Sequence, residues 1–152
     1  MSDNNLLEVK STQYIVVSLG IEQFGIDIKY VDNIVRMQKI TRVPKSQPFF
    51  KGVINLRGEV VPVMSMRNKF GLEDDEFTDK TRIIILKPEQ RDAIGVIVDS
   101  VKEVVELENE SIEKVQSGKE DKMRYINAVG KNQGNLISLL NVSSVIEDVN
   151  VN

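Results

Sequence analysis

The first residue in this sequence whose type and place could do chemistry is an arginine. Arg57 lies in Asn55-Leu56-Arg57-Gly58, between two apolar stretches, Lys51 to Leu56 and Glu59 to Met64. A tip that only reverses the chain is satisfied by Asn, Asp, Gly or Ser. A guanidinium held out on a hairpin presents a rigid fork of donors, suited to a carboxylate or carbonyl across an interface. The chemistry implied is recognition of another surface. Two acidic groupings offer alternatives. Asp74-Asp75-Glu76 gathers oxygen ligands of the kind calcium and magnesium take, but without EF-hand spacing, and it reads as a solvated acidic loop. Glu103 and Glu106 could form an acid/base pair, as a carboxylate-dependent hydrolase needs. Three apart on an expected strand, they face opposite ways.

Composition narrows the chemistry further. The 152 residues include no histidine and no cysteine. Ser-His-Asp and Cys-His mechanisms, disulfides and thiolate zinc sites are therefore excluded. Tryptophan is absent and aromatics make up 5% of the chain, which poorly supplies a base-stacking platform. A small nucleic-acid-binding β-barrel is the alternative function class, and it would need a basic, aromatic-studded strand face. The net charge of −3 is mild and mixed in sign. The expectation is a non-enzymatic cytoplasmic protein with no cofactor, no metal, no nucleic acid and no membrane insertion. Residues 1–12 read as a polar, flexible tail without a signal-peptide core.

The elements that must position Arg57 are short β-branched clusters separated by turn residues, which favours strands over long helices. Strands are expected at Tyr14 to Leu19, Gln23 to Ile28, Val31 to Met37, Lys51 to Leu56, Glu59 to Met64, Thr81 to Leu86, Ala93 to Val98 and Val101 to Leu107. A last hairpin is expected at Tyr125 to Val129 and Asn135 to Leu140, turning through residues 130–134. Ser65 should cap a short helix ended by Gly71, and Asn141 a terminal one. Pro62 should mark an edge, a bulge or a strand end. Between Glu108 and Met123 only Ile112 and Val115 read as apolar anchors.

This order contains a repeat. Residues 25–35 align with 95–105, a separation of 95 − 25 = 70, and residues 58–65 with 134–141, a separation of 134 − 58 = 76. Glycine comes first in each and the apolar positions stay in register. The fold class expected is mainly β: two small five-stranded β-barrel subdomains on a shared apolar interface, with short helices. Residues 13–80 would form the first barrel and 81–149 the second, with strand exchange between them possible.

The run Gly52-Val-Ile-Asn-Leu-Arg-Gly-Glu-Val-Val-Pro-Val63, followed by Arg67 and Phe70-Gly71, closely resembles the central signature of the CheW family of chemotaxis coupling proteins. Phe24 to Ile28, Pro44 with Phe49, and Gly95 to Val101 agree in order and spacing. The resemblance runs from about Gln13 to Val149. It implies two five-stranded barrels and an adaptor without catalysis. Such an adaptor would bridge the cytoplasmic tip of methyl-accepting chemoreceptors to the regulatory domain of the kinase CheA, in arrays at the inner face of the membrane. The candidate kinase- or receptor-binding residues are Arg57, which matches the family motif, and beside it Lys51, Phe50, Gly52 and Gly58, the two glycines acting as backbone devices. The implied receptor groove takes Val31, Asn33, Ile34, Val98 and Val101, with Val31 matching Val101 and Ile34 matching Val104 by the internal repeat.

Overall fold

Alternation along β-branched runs decides the architecture. In Ile15-Val16-Val17 the outer two side chains enter one core and the middle one another, and Ile83 to Leu86 splits the same way. The computed structural model describes residues 10–44, 47–115 and 123–147. Its strands are β1 (Ser11–Leu19), β2 (Glu22–Asp27), β3 (Val31–Arg36), β4 (Phe50–Leu56), β5 (Glu59–Ser65), β6 (Arg82–Leu86), β7 (Ile94–Val98), β8 (Ser100–Glu108), β9 (Ile112–Lys114), β10 (Ile126–Asn132) and β11 (Asn135–Leu140). Two short helices follow the two later hairpins, α1 (Met66–Lys69) and α2 (Val142–Ile146). Their caps are as expected: Ser65 Oγ accepts from the Asn68 amide at 3.1 Å, and Asn141 Oδ1 from the Ser144 amide at 3.3 Å.

The strands form a six-stranded sheet in the order β8-β1-β2-β11-β10-β9 and a five-stranded sheet in the order β3-β6-β7-β5-β4. The mainly β, two-subdomain fold is as expected, although the end strands of each sheet do not pair to close a barrel. The sixth strand is β9, where Ile112 packs into the core of the larger sheet, and Val115, just after it, packs onto the shared one. That shared core is the largest cluster. It takes Ile15, Val17, Phe24 and Ile26 from one sheet and Met64, Ile84, Val96 and Val98 from the other. Phe70, after α1, stacks on Tyr125 at 5.2 Å and meets Phe24 edge-on at 5.3 Å, which locks the helix onto this interface.

The sequence halves divided near residue 80 are not the two sheets. The five-stranded sheet is one continuous stretch, β3 to β7, while the six-stranded sheet takes β1–β2 and then β8–β11. The repeat explains this. Its first arm runs through the passage from β2 to β3, and its second through the passage from β7 to β8. Both repeat glycines pair with a parallel strand and sit where side chains of neighbouring strands crowd the backbone. Gly25 lies opposite Leu139 and Gly95 opposite Val63, and an added Cβ would come within 2.8 Å of Leu139 and of Ile83 respectively.

Smaller corrections follow from pairing. Strand β1 begins at Ser11, inside the stretch expected as a tail, because Ser11 and Thr12 pair with Glu108 and Leu107; residues 1–9 of that tail lie outside the described residues. The last hairpin turns at Gln133-Gly134, and Gly130 is a strand residue against Leu107. Pro62 pairs with Val53 just before β5 gains its second neighbour at Val63, so one edge of the strand is open there.

Candidate functional site

The β4–β5 turn holds Arg57 at φ 54° and Gly58 at φ 85°, both left-handed, as a two-residue hairpin of this twist requires. Asn55 Oδ1 accepts from the Gly58 amide at 3.1 Å and stiffens the tip. Arg57 is exposed and makes no ion pair among the described residues. A β-carbon at φ > 0 costs of order 1 kcal/mol, so the turn places at Arg57 a backbone strain that a glycine would relieve. The β10–β11 turn has the same backbone, with Gln133 at φ 51° and Gly134 at φ 84°. Only the side chain differs between the two tips.

The other residues grouped with Arg57 lie elsewhere. Lys51 is six residues back along β4, about 20 Å at strand rise. It lines an open cleft of about 880 Å³ with Phe50, Asp74, Asp75 and Phe77. Phe50 itself is only 6% exposed in β4, so it borders the cleft with little free surface. Gly52, at φ 137°, adjoins a bulge in the β4–β5 ladder and admits the strap containing Thr41: a Cβ there would meet the Thr41 carbonyl oxygen. Gly58 has nothing within 4 Å of its Cβ position, so it serves the turn alone.

The groove residues divide by burial. Strands β3 and β8 are the outer strands of their sheets. Val31 and Val101 are half-buried against the shared core, at equivalent positions of the repeat. Farther along the same strands, Ile34 is 37% exposed and Val104 52% exposed. Asn33 is half-buried, and its Oδ1 accepts from the Ile34 amide at 2.9 Å. Val98 does not belong with them. It is 0% exposed in the shared core, one residue before the chain leaves the five-stranded sheet. The exposed apolar pair is therefore Ile34 and Val104.

Two polar features were not read as sites in the sequence. Asp99, between β7 and β8, accepts from Arg67 Nε at 2.7 Å and Nη2 at 2.6 Å, and from the Gly20 amide at 2.7 Å. The Arg67 hydrogen bonds hold its carboxyl below the usual range, and the same contact raises Arg67. The sequence signal was an aspartate ending an otherwise buried apolar strand. Asp75 also departs from a solvated loop. It accepts from Ser65 Oγ at 2.5 Å, its other oxygen is buried without a partner, and burial raises its pKa, opposed by Ser65 and Lys51. No cluster of acids suited to a metal ion occurs among the described residues. Glu103 and Glu106 are both exposed, on opposite faces of β8. Phe77 is the one large aromatic exposed among the described residues, so no stacking face forms.

Compared with known proteins, residues 13–150 match the family model for the CheW-like domain. The chain belongs to the CheW-like family. It is 34% identical over 143 residues to the chemotaxis protein CheW of Bacillus subtilis, covering 92% of this chain and 90% of that one. Identity to CheW of Klebsiella aerogenes is 36% over 105 residues, 69% of this chain and 63% of that one. Among solved structures, the scaffolding protein TtCheW from Thermoanaerobacter tengcongensis superposes with a TM-score of 0.83 at 29% identity, covering 91% of this chain and 94% of that one. Membership places the chain among chemotaxis scaffolding proteins and not among enzymes. No helix of the described residues is long and apolar enough to cross a membrane.

Proposed function

We propose that this chain couples the cytoplasmic tip of chemoreceptors to the regulatory domain of CheA, acting in the cytoplasm at receptor arrays on the inner face of the membrane. The observation that carries this is family membership over nearly the whole chain, and two separate exposed features are the surfaces we assign to the partners. One is the left-handed Arg57 tip, exposed and without an ion pair among the described residues. The other is the edge pair β3 and β8, where Val31, Val101, Ile34 and Val104 offer an amphipathic receptor helix an apolar seat, Asn33 pairing with Ile85 on the opposite face of β3.

The test is a pull-down with a CheA regulatory fragment and a receptor tip from the same organism. The wild type should retain both. Arg57→Glu should weaken one of them about tenfold or more, the scale of a lost interface charge contact, with the melting temperature nearly unchanged. Ile34→Asp should weaken receptor binding and leave the kinase bound. A wild type that retains neither partner overturns the proposal, and an Arg57→Glu protein that binds both normally removes Arg57 from it.

A further inference from the structure

The chain passes between the two sheets twice, from Asp27 to Val31 and from Val98 to Ser100. The repeat makes these passages equivalent, so Lys29 and Asp99 hold matching positions (99 − 29 = 70). Their surroundings differ. The Lys29 side chain is 65% exposed, with its ammonium 3.8 Å from Asp27. Asp99 is gripped from both sides. Arg67, in α1 just after β5, holds both carboxylate oxygens. From the six-stranded sheet's first hairpin, the Gly20 amide donates to the same carboxylate, and the Asp99 amide donates to the Ser18 carbonyl at 3.1 Å. Arg67 Nη1 also donates to the Glu73 carbonyl at 3.2 Å, tying in the loop after α1.

A single carboxylate thus joins an arginine of α1, the helix that follows β5 of the five-stranded sheet, to the backbone of the β1–β2 hairpin of the other sheet. A planar guanidinium bound through two nitrogens fixes direction as well as distance. We propose that Arg67 and Asp99 are positioning residues that fix the angle between the two sheets at this passage, while the passage at Lys29 contributes no such constraint. Val101 and Val104 follow Asp99 by two and five residues, so the clamp sets the β8 edge of the proposed groove relative to the β3 edge. The consequence for binding rests on the adaptor reading; the clamp itself does not.

The absence of cysteine makes the test clean, since two introduced cysteines are the only labelling sites. Val60→Cys and Leu136→Cys place spin labels on different sheets, at residues 67% and 63% exposed. Pulsed electron–electron resonance should give one narrow distance in the otherwise unaltered protein. Asp99→Asn should broaden that distribution while circular dichroism shows a folded chain, and Lys29→Ala should leave it narrow. Arg67→Lys keeps the charge and loses the two-pronged grip, so it should broaden the distribution too, and it carries the test if Asp99→Asn fails to fold. A folded variant with a distribution as narrow as the unaltered protein overturns the clamp. Without labels, Asp99→Asn should bind a receptor-tip fragment about fivefold or more weakly, the low end of coupling between linked sites. A wild type that binds no receptor tip would sink the adaptor reading, and the label distances would still decide the clamp.

Discussion

Gly52→Ala should be among the costliest single-methyl additions in this chain, and the structure says why. At φ 137° the backbone is in a region that a β-carbon disfavours, at about 1–3 kcal/mol. The new methyl would overlap the Thr41 carbonyl oxygen, a backbone atom that cannot swing aside as a side chain would. Thr41 is held there by two hydrogen bonds with Val53, each 2.8 Å, which must lengthen or break at about 1 kcal/mol each. Together these come to about 3–5 kcal/mol, a large share of the stability of an ordinary domain. At about 2–4 °C per kcal/mol for a domain of this size, the melting temperature should fall by about 6–20 °C. The control is Gly58→Ala, where φ is 85° and nothing lies within 4 Å, so only backbone strain of about 1 kcal/mol applies. Urea unfolding of both variants, with slopes compared to confirm the same transition, measures the difference. If Gly52→Ala falls within about 0.5 kcal/mol of Gly58→Ala, overlap with the Thr41 strap is not what makes glycine necessary.

Two further outcomes are expected. Arg57→Gly should raise stability by about 0.5–1 kcal/mol, since relief of left-handed strain exceeds the added freedom of glycine in the unfolded chain, and it should weaken partner binding. Gln133→Gly should stabilise to the same degree and leave the binding surface at the first tip intact; a loss of stability in both would refute the strain assignment. Asp75 should give a pH signature. Its folded pKa is raised by burial, so the folded state is penalised as pH rises from about 4, the unfolded value, through the folded one. Relative to Asp75→Asn, the wild type should therefore lose stability across that rise, by unfolding measured at several pH values. A difference that grows in the wild type's favour with pH would reverse the sign and refute it.

Much of the fold was legible because it rests on local chemistry. Strand positions followed from β-branched clusters, and both helix caps from Ser65 and Asn141 three residues before a free amide. What local chemistry does not carry is which sheet a strand joins. The repeat arms at 25–35 and 95–105 looked like units within two halves, yet each is the bridge by which the chain changes sheets. Burial failed for a related reason. Val98 and Val101 lie three apart in one apolar run, but the passage at Asp99 separates them, leaving one in the core and the other at an edge. Lys51 and Arg57 were grouped by sequence proximity, although six strand residues carry them to opposite ends of a hairpin. Asp75 read as solvated because its neighbours are charged, and only the returning Ser65 hydroxyl shows that it turns inward.

The internal symmetry separates scaffold from function more sharply than the motif does. Where the two copies agree, the reason is the scaffold: Gly25 and Gly95 crowded by neighbouring strands, Gly58 and Gly134 at the left-handed positions of matching turns, Ser65 and Asn141 as helix caps. Substituting any of these would cost stability, at least about 1 kcal/mol in the turns, whatever the protein binds. Where they disagree, a shared backbone carries different chemistry. Arg57 stands opposite Gln133 at the same φ, and clamped Asp99 opposite exposed Lys29. Packing cannot account for either difference, because the equivalent position does without it. Exchanging residues between copies follows from this. Arg57→Gln places a side chain the turn already tolerates at Gln133, so any loss of partner binding must come from the guanidinium itself. Gln133→Arg, with the same strain in the other sheet, should not restore it; if it does, the contact depends on charge anywhere on the protein's ends and not on the first tip.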